Sequence, residues 1–222
     1  MKILWHVESD MVYNFNEWRR KYDLFTYKEQ QEEHSKIHRE FPSQVYFNLD
    51  AVKKFLLMYK PVTVLEIGGH QGELAELILN DPSFGFIQKW FNIDICNDAV
   101  ESGLKNERYY PYVPDTWAWE ITLPEATAFV SSNFIEHIKV KHLKKLIQEL
   151  PGSVRFMFLQ APILEDGENI TWDGKWSTHI LEVGWKQVGM MLGEQGFKPS
   201  FSVPEHKEKC GSVKVFVRGI CE

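Results

Sequence analysis

Between residues 62 and 218, short apolar runs alternate with helix-forming stretches, and that alternation restricts the chain to few folds. VTVLEI is the first run and GELAELILN the first helical stretch after it. WFNIDI and RYYPYV follow, then ATAFVSS and a helix through NFIEHIKVKHLKKLIQEL that stops at Pro151-Gly152. SVRFMFLQ is a fifth strand, and HILEVGWKQVGMMLGEQG a helix ended by Gly196. Continuous β-branched runs are what strands buried on both faces require. The pattern predicts an α/β protein with a Rossmann-like, doubly wound, mostly parallel sheet. FKPSFSV and SVKVFVRGI, joined by a short connection, predict a closing antiparallel pair and bring the sheet to seven strands.

Upstream, Asn48 or Asp50 caps a helix through AVKKFLLMYK that ends at Pro61. Residues 14–40 are polar helix formers carrying one apolar stripe, Phe15, Trp18, Tyr22 and Phe25. The expectation is a helical addition over residues 1–47, lying as a lid across the active-site mouth, and one α/β domain over 48–222.

A net charge of -6 argues against a nucleic-acid partner, whose phosphates require a basic face. The basic run Lys139 to Lys145 reads as a solvated helix face. No run approaches the ~18 apolar residues of a membrane span. MKILWHVESD is too short an apolar run for a signal peptide, and Cys96, Cys210 and Cys221 show no paired spacing. The expectation is a cytoplasmic protein without disulfides, and the sequence carries no signal for an oligomeric state. His34 and His38 stand four apart but have no third ligand, so no metal is expected.

VLEIGGHQGEL, Val64 to Leu74, joins a strand to a helix through three glycines. Gly68, Gly69 and Gly72 let the backbone turn and approach a ligand, beside a helix N-terminus. The spacing is neither GxGxxG nor the phosphate-binding GxxxxGK[ST]. Glu66, two residues before the first glycine, would repel a pyrophosphate but accepts a bond from an ammonium group or a water. A carboxylate with a glycine loop suits a cofactor bearing an amino-acid tail.

VLEIGGHQGEL resembles motif I of the class I S-adenosylmethionine-dependent methyltransferases, with His70 at the middle glycine. FNIDI, with Asp94 at a strand end, is similar to the family's second motif. ATAFVSSNFIEHI, LPGSVRFMFLQAPI, GEQGFKPSFSV and VKVFVRG resemble its later stretches, so the likeness runs from about residue 50 to 220. The resemblance implies S-adenosyl-L-methionine as cofactor, held by Glu66, Gly68, Gly69, Gly72, Asp94, Ile95, Asp115, Thr116 and Asn133. In it Asp94 faces the ribose hydroxyls and Asp115 the adenine amine; Trp117 reads either as flanking the ring or as a core aromatic. It also implies direct in-line methyl transfer to a small molecule such as a sugar or another metabolite.

His137 and His179 are the candidate acid–base residues, and Trp172 and Trp176 the candidate substrate wall on the long segment after the fifth strand. Their alternative is structural: histidines bonded to nearby backbone and tryptophans in the core. Glu136 reads as a first-turn acid suited to the helix dipole. Two other functions stay open, a non-catalytic cofactor-binding protein of the same fold and an NAD-binding oxidoreductase. Glu66 and the glycine spacing disfavour the second.

Overall fold

The computed structural model describes residues 26–32, 48–97, 104–163, 165, 181, 183–203 and 212–219. Its helices are α1 (residues 27–32), α2 (Leu49–Tyr59), α3 (Glu73–Leu79), α4 (Val140–Glu149) and α5 (Trp185–Glu194). Its strands are β1 (Thr63–Ile67), β2 (Lys89–Ile93), β3 (Tyr109–Tyr112), β4 (Ala128–Ser132), β5 (Phe156–Ala161), β6 (Phe197–Val203) and β7 (Ser212–Arg218). They form one sheet in the order β3-β2-β1-β4-β5-β7-β6. The first five strands are parallel, β7 runs antiparallel to β5, and β6 antiparallel to β7. The doubly wound, mostly parallel sheet expected from the sequence is therefore the fold.

Neighbouring residues of each central strand enter different cores. Val64, Val130 and Phe158 face α2 and α3, packing with Phe55, Leu56, Leu74 and Ile78. Leu65, Phe129 and Met157 face the other way, toward Leu143, Leu146, Val188 and Leu192 of α4 and α5. Both faces are dry, which is why these strands read as continuous apolar runs. Pro111 is tolerated in β3 because β3 is an edge strand with one free side. From β1 the chain winds outward through β2 and β3, then returns to add β4 and β5 on the other side. The reversal opens a crevice between the carboxyl ends of β1 and β4, where ligands bind in sheets of this kind.

Asn48 caps α2, its side chain accepting from Ala51 N at 3.2 Å. Two helix starts differ from the sequence reading. Asn133 is left-handed at φ 55, a short 3-10 turn follows over Ile135–His137, and α4 begins only after extended Ile138 and Lys139. α5 starts at Trp185 behind extended Gly184, not near His179. The basic run lies on α4 as expected, with Lys144 near Glu194 (3.8 Å) and Lys145 near Glu120 (4.0 Å). No described helix is long and apolar enough to cross a membrane. Of the N-terminal addition, only residues 26–32 are described. The stripe Phe15, Trp18, Tyr22 and Phe25 lies outside the described residues, as do His34 and His38.

Candidate functional site

The loop 68–72 is held from β2. Gly68 N donates to Ile93 O (2.9 Å), Gly69 N to Asn92 Oδ1 (3.1 Å) and His70 N to Asp94 Oδ2 (2.8 Å). Asn92 also donates from Nδ2 to His70 O (2.9 Å) and to the Tyr109 hydroxyl (2.7 Å). Those bonds fix a backbone with three left-handed residues, Gly68 (φ 79), His70 (φ 48) and Gly72 (φ 85). Histidine is among the side chains that tolerate this region, which is how it replaces a glycine here. Gly69 is required for space: a Cβ there would lie 2.5 Å from both Glu66 Cδ and Asn92 Oδ1.

Glu66 and Asp94 end adjacent strands and have different environments. Glu66 is buried beneath the loop and accepts from Trp90 Nε1 at 2.8 Å. Burial favours the neutral form and pushes its carboxyl up to about 8, against the lowering effect of the Trp90 bond. Asp94 accepts from His70 N through one oxygen and from Cys96 N (2.8 Å) through the other. A carboxylate has about four acceptor positions, so two backbone bonds leave capacity for a ligand's hydroxyls. The His70 ring bonds Glu73 through Nδ1 at 2.8 Å. Burial works to lower its pKa, but the Glu73 bond and charge, with Asp94, leave it raised.

Across the crevice stands the end of β4. A Cβ on residue 68 would lie 2.8 Å from Phe134 Cβ, so the loops after β1 and β4 meet there. Asn133 N donates to Gln160 O (2.9 Å), tying the turn to β5. Glu136, read from the sequence as a first-turn acid, is in the first turn of the short 3-10 segment and not of α4. It is 1% exposed, and burial pushes its carboxyl up to about 8. Its Oε2 and the hydroxyls of Ser131 and Ser132 are buried with no hydrogen-bond partner among the described residues. His137 Nε2 is 3.8 Å from Glu136 Oε1, and its ring is partly exposed.

At the end of β3, Asp115 is exposed and Thr116 Oγ1 donates to Glu120 Oε2 at 2.6 Å. Trp117 stacks on Trp119 (5.0 Å between ring centres), and Trp119 on His142 (4.5 Å). Ile95 is half-buried directly after Asp94. Glu66, Gly68, Gly69, Gly72 and Asp94 thus meet at two adjacent strand ends, with Asn133 across the crevice and Asp115 and Thr116 beyond β3. His179, Trp172 and Trp176 lie outside the described residues. Among the described residues no group of three acids, histidines or cysteines is placed to hold a metal. Sequence reasoning missed Asn92 and Tyr109. The available signal was an asparagine inside the apolar run WFNIDI, where burial demands a partner.

No family model and no curated protein matches this sequence. Solved structures do match in fold. The methyltransferase domain of bacterial CtHen1 is 15% identical with a TM-score of 0.60, over 77% of this chain and 96% of that one. Magnesium protoporphyrin IX methyltransferase (ChlM) from Synechocystis PCC 6803, solved with bound SAH, is 14% identical with a TM-score of 0.58, over 92% and 94%. Human N-acetylserotonin methyltransferase, solved in complex with SAM, is 13% identical with a TM-score of 0.58, over 96% of this chain and 60% of that one. The fold is that of these methyltransferases.

Proposed function

We propose that this protein binds S-adenosyl-L-methionine and transfers its methyl group to a small-molecule acceptor. The observation that carries the reading is where the loop N–H groups point. Those of Gly68, Gly69 and His70 are all donated to β2 and Asp94, and are not turned outward to cradle a pyrophosphate. One of them, His70 N, is taken by the Asp94 carboxylate, an acceptor where a pyrophosphate would need free donors. The residues present fit a cofactor with a ribose and no phosphates, and they disfavour NAD.

In this reading Asp94 holds the ribose hydroxyls, with Ile95 beside it, and Asp115 and Thr116 face the adenine. Gly68 to Gly72 bring the backbone close to the amino-acid tail, Asn133 closes the far side, and Glu66 holds the loop in shape from below. When bound, the cofactor supplies a methyl group already activated on a sulfonium. The chain therefore contributes positioning and exclusion of water. The oxygens of Ser131, Ser132 and Glu136 that have no hydrogen-bond partner among the described residues stand at and just after the end of β4 and offer acceptor-side hydrogen bonds. Burial favours the protonated form of Glu136, which in this reading acts there as a donor. His137 and His179 remain the residues proposed to take a proton where the nucleophile carries one, and Trp172 and Trp176 the proposed acceptor wall. The net charge of -6, with Lys144 and Lys145 near carboxylates, supports a small acceptor over a polyanionic one. The test is methyl transfer from labelled cofactor to a metabolite panel. Cofactor binding without transfer to any member favours a non-catalytic protein of the same fold.

A further inference from the structure

Helix α1 is six described residues long, too short to persist by its own backbone bonds. Thr26, Lys28, Glu29 and Glu32 are exposed, yet the segment is fixed to the body at several points. Tyr27 donates its hydroxyl to Pro114 O at 2.5 Å. Its ring meets Trp117 edge to face, 5.1 Å between centres at 89°. Gln31 Nε2 donates to Asn97 Oδ1 at 3.4 Å, and Gln30 is buried. Asn97 follows β2, and Pro114 and Trp117 follow β3. The anchors thus lie on either side of the gap between two adjacent strand ends, the ends that carry Asp94 and Asp115.

Burial raises the Tyr27 hydroxyl well above its ordinary range, and the charges of Asp94 and Asp115 add to the rise. Its hydroxyl is bonded to the residue before Asp115, and its ring stands edge to face with Trp117. None of these contacts reaches the end of β4, where Ser131, Ser132 and Glu136 stand. The contacts of residues 26–32 lie on the β2–β3 side.

We propose that Tyr27 is a cofactor-binding residue that forms, with Trp117, the aromatic wall of the adenosine half of the site, and that α1 retains the bound cofactor there. The inference rests on the methyltransferase reading, which assigns Asp94 and Asp115 to ribose and adenine. It makes α1 a determinant of cofactor affinity and release, not of acceptor binding. The hydroxyl bond to Pro114 holds the ring at the strand end, and the ring presents a flat apolar surface at low entropic cost.

The experiment titrates S-adenosylhomocysteine and 5′-methylthioadenosine into wild type, Tyr27→Ala, Tyr27→Phe and Asp94→Ala, and measures release by stopped flow. Tyr27→Ala should weaken both ligands about tenfold and speed release, the loss expected for one aromatic contact with its hydrogen bond. 5′-Methylthioadenosine lacks the amino-acid tail, so an equal loss for both ligands places the effect on the adenosine half. Tyr27→Phe keeps the ring and should fall between Tyr27→Ala and wild type. It also serves as the reporter if Tyr27→Ala melts early. Unchanged affinity and release in both Tyr27 variants, with Asp94→Ala weakened, overturns this inference and leaves the methyltransferase reading standing. A wild type that binds neither ligand overturns both.

Discussion

At the residue scale, the departure from the familiar motif is His70, and its backbone explains it. At φ 48 a Cβ costs about 1–2 kcal/mol, partly offset by the ring's bond to Glu73. His70→Ala keeps the strain and loses the bond, whereas His70→Gly loses both. Urea denaturation should find His70→Gly about 1 kcal/mol more stable than His70→Ala. The reverse order would mean that the left-handed conformation is not retained. Under the proposed function, Asp94 is the residue expected to matter most to cofactor binding. Asp94→Ala should weaken S-adenosylhomocysteine by about 1–3 kcal/mol in a folded protein. An unchanged titration would remove Asp94 from the site. The placement of Glu66 and Asp94 at adjacent strand ends was legible in the sequence because each stands at the end of a recognisable apolar run. Asn92 was not, since its importance comes from three partners, Gly69, His70 and Tyr109, that only folding brings near it.

At the scale of elements, the loop and β2 form one unit. Asn92→Ala would strand Gly69 N, His70 O and the Tyr109 hydroxyl together, the last in buried surroundings and the other two part-buried. A loss of about 2–4 kcal/mol in denaturant midpoint analysis is expected, with cofactor affinity falling alongside. A loss below 0.5 kcal/mol would show that water replaces Asn92 at little cost. The doubly wound sheet and the closing antiparallel pair followed from apolar runs and helix stops. The starts of α4 and α5 did not, because left-handed Asn133 and extended Gly184 are backbone choices made by tertiary contacts. Tyr27 was equally hidden. Nothing local to TYKEQQ signals a partner at Pro114, 87 residues away in sequence.

At the scale of the whole molecule, two buried carboxyls and one histidine titrate in the same direction. Glu66 and Glu136 are raised from the ordinary carboxyl value to about 8, so the folded state holds two protons that the unfolded chain releases above about pH 4.5. The raised His70 adds to this, its contribution present below the unfolded histidine value and lost as pH rises through the folded one. Stability should therefore fall between pH 5 and 8, by at most about 1.4 kcal/mol per pH unit for each group within its window. Thermal melts across that range, compared with Glu136→Gln, test it. A flat profile, or one unchanged by the substitution, contradicts the burial argument. The central claim is that the crevice between β1 and β4 takes an adenosyl cofactor without phosphates. Isothermal titration of the full chain with S-adenosylmethionine and with NAD tests it most directly. The account predicts saturable, one-to-one binding of S-adenosylmethionine, reduced in Asp94→Ala, and no saturable heat with NAD. Tighter binding of NAD, or no binding of S-adenosylmethionine to the wild type, would contradict it.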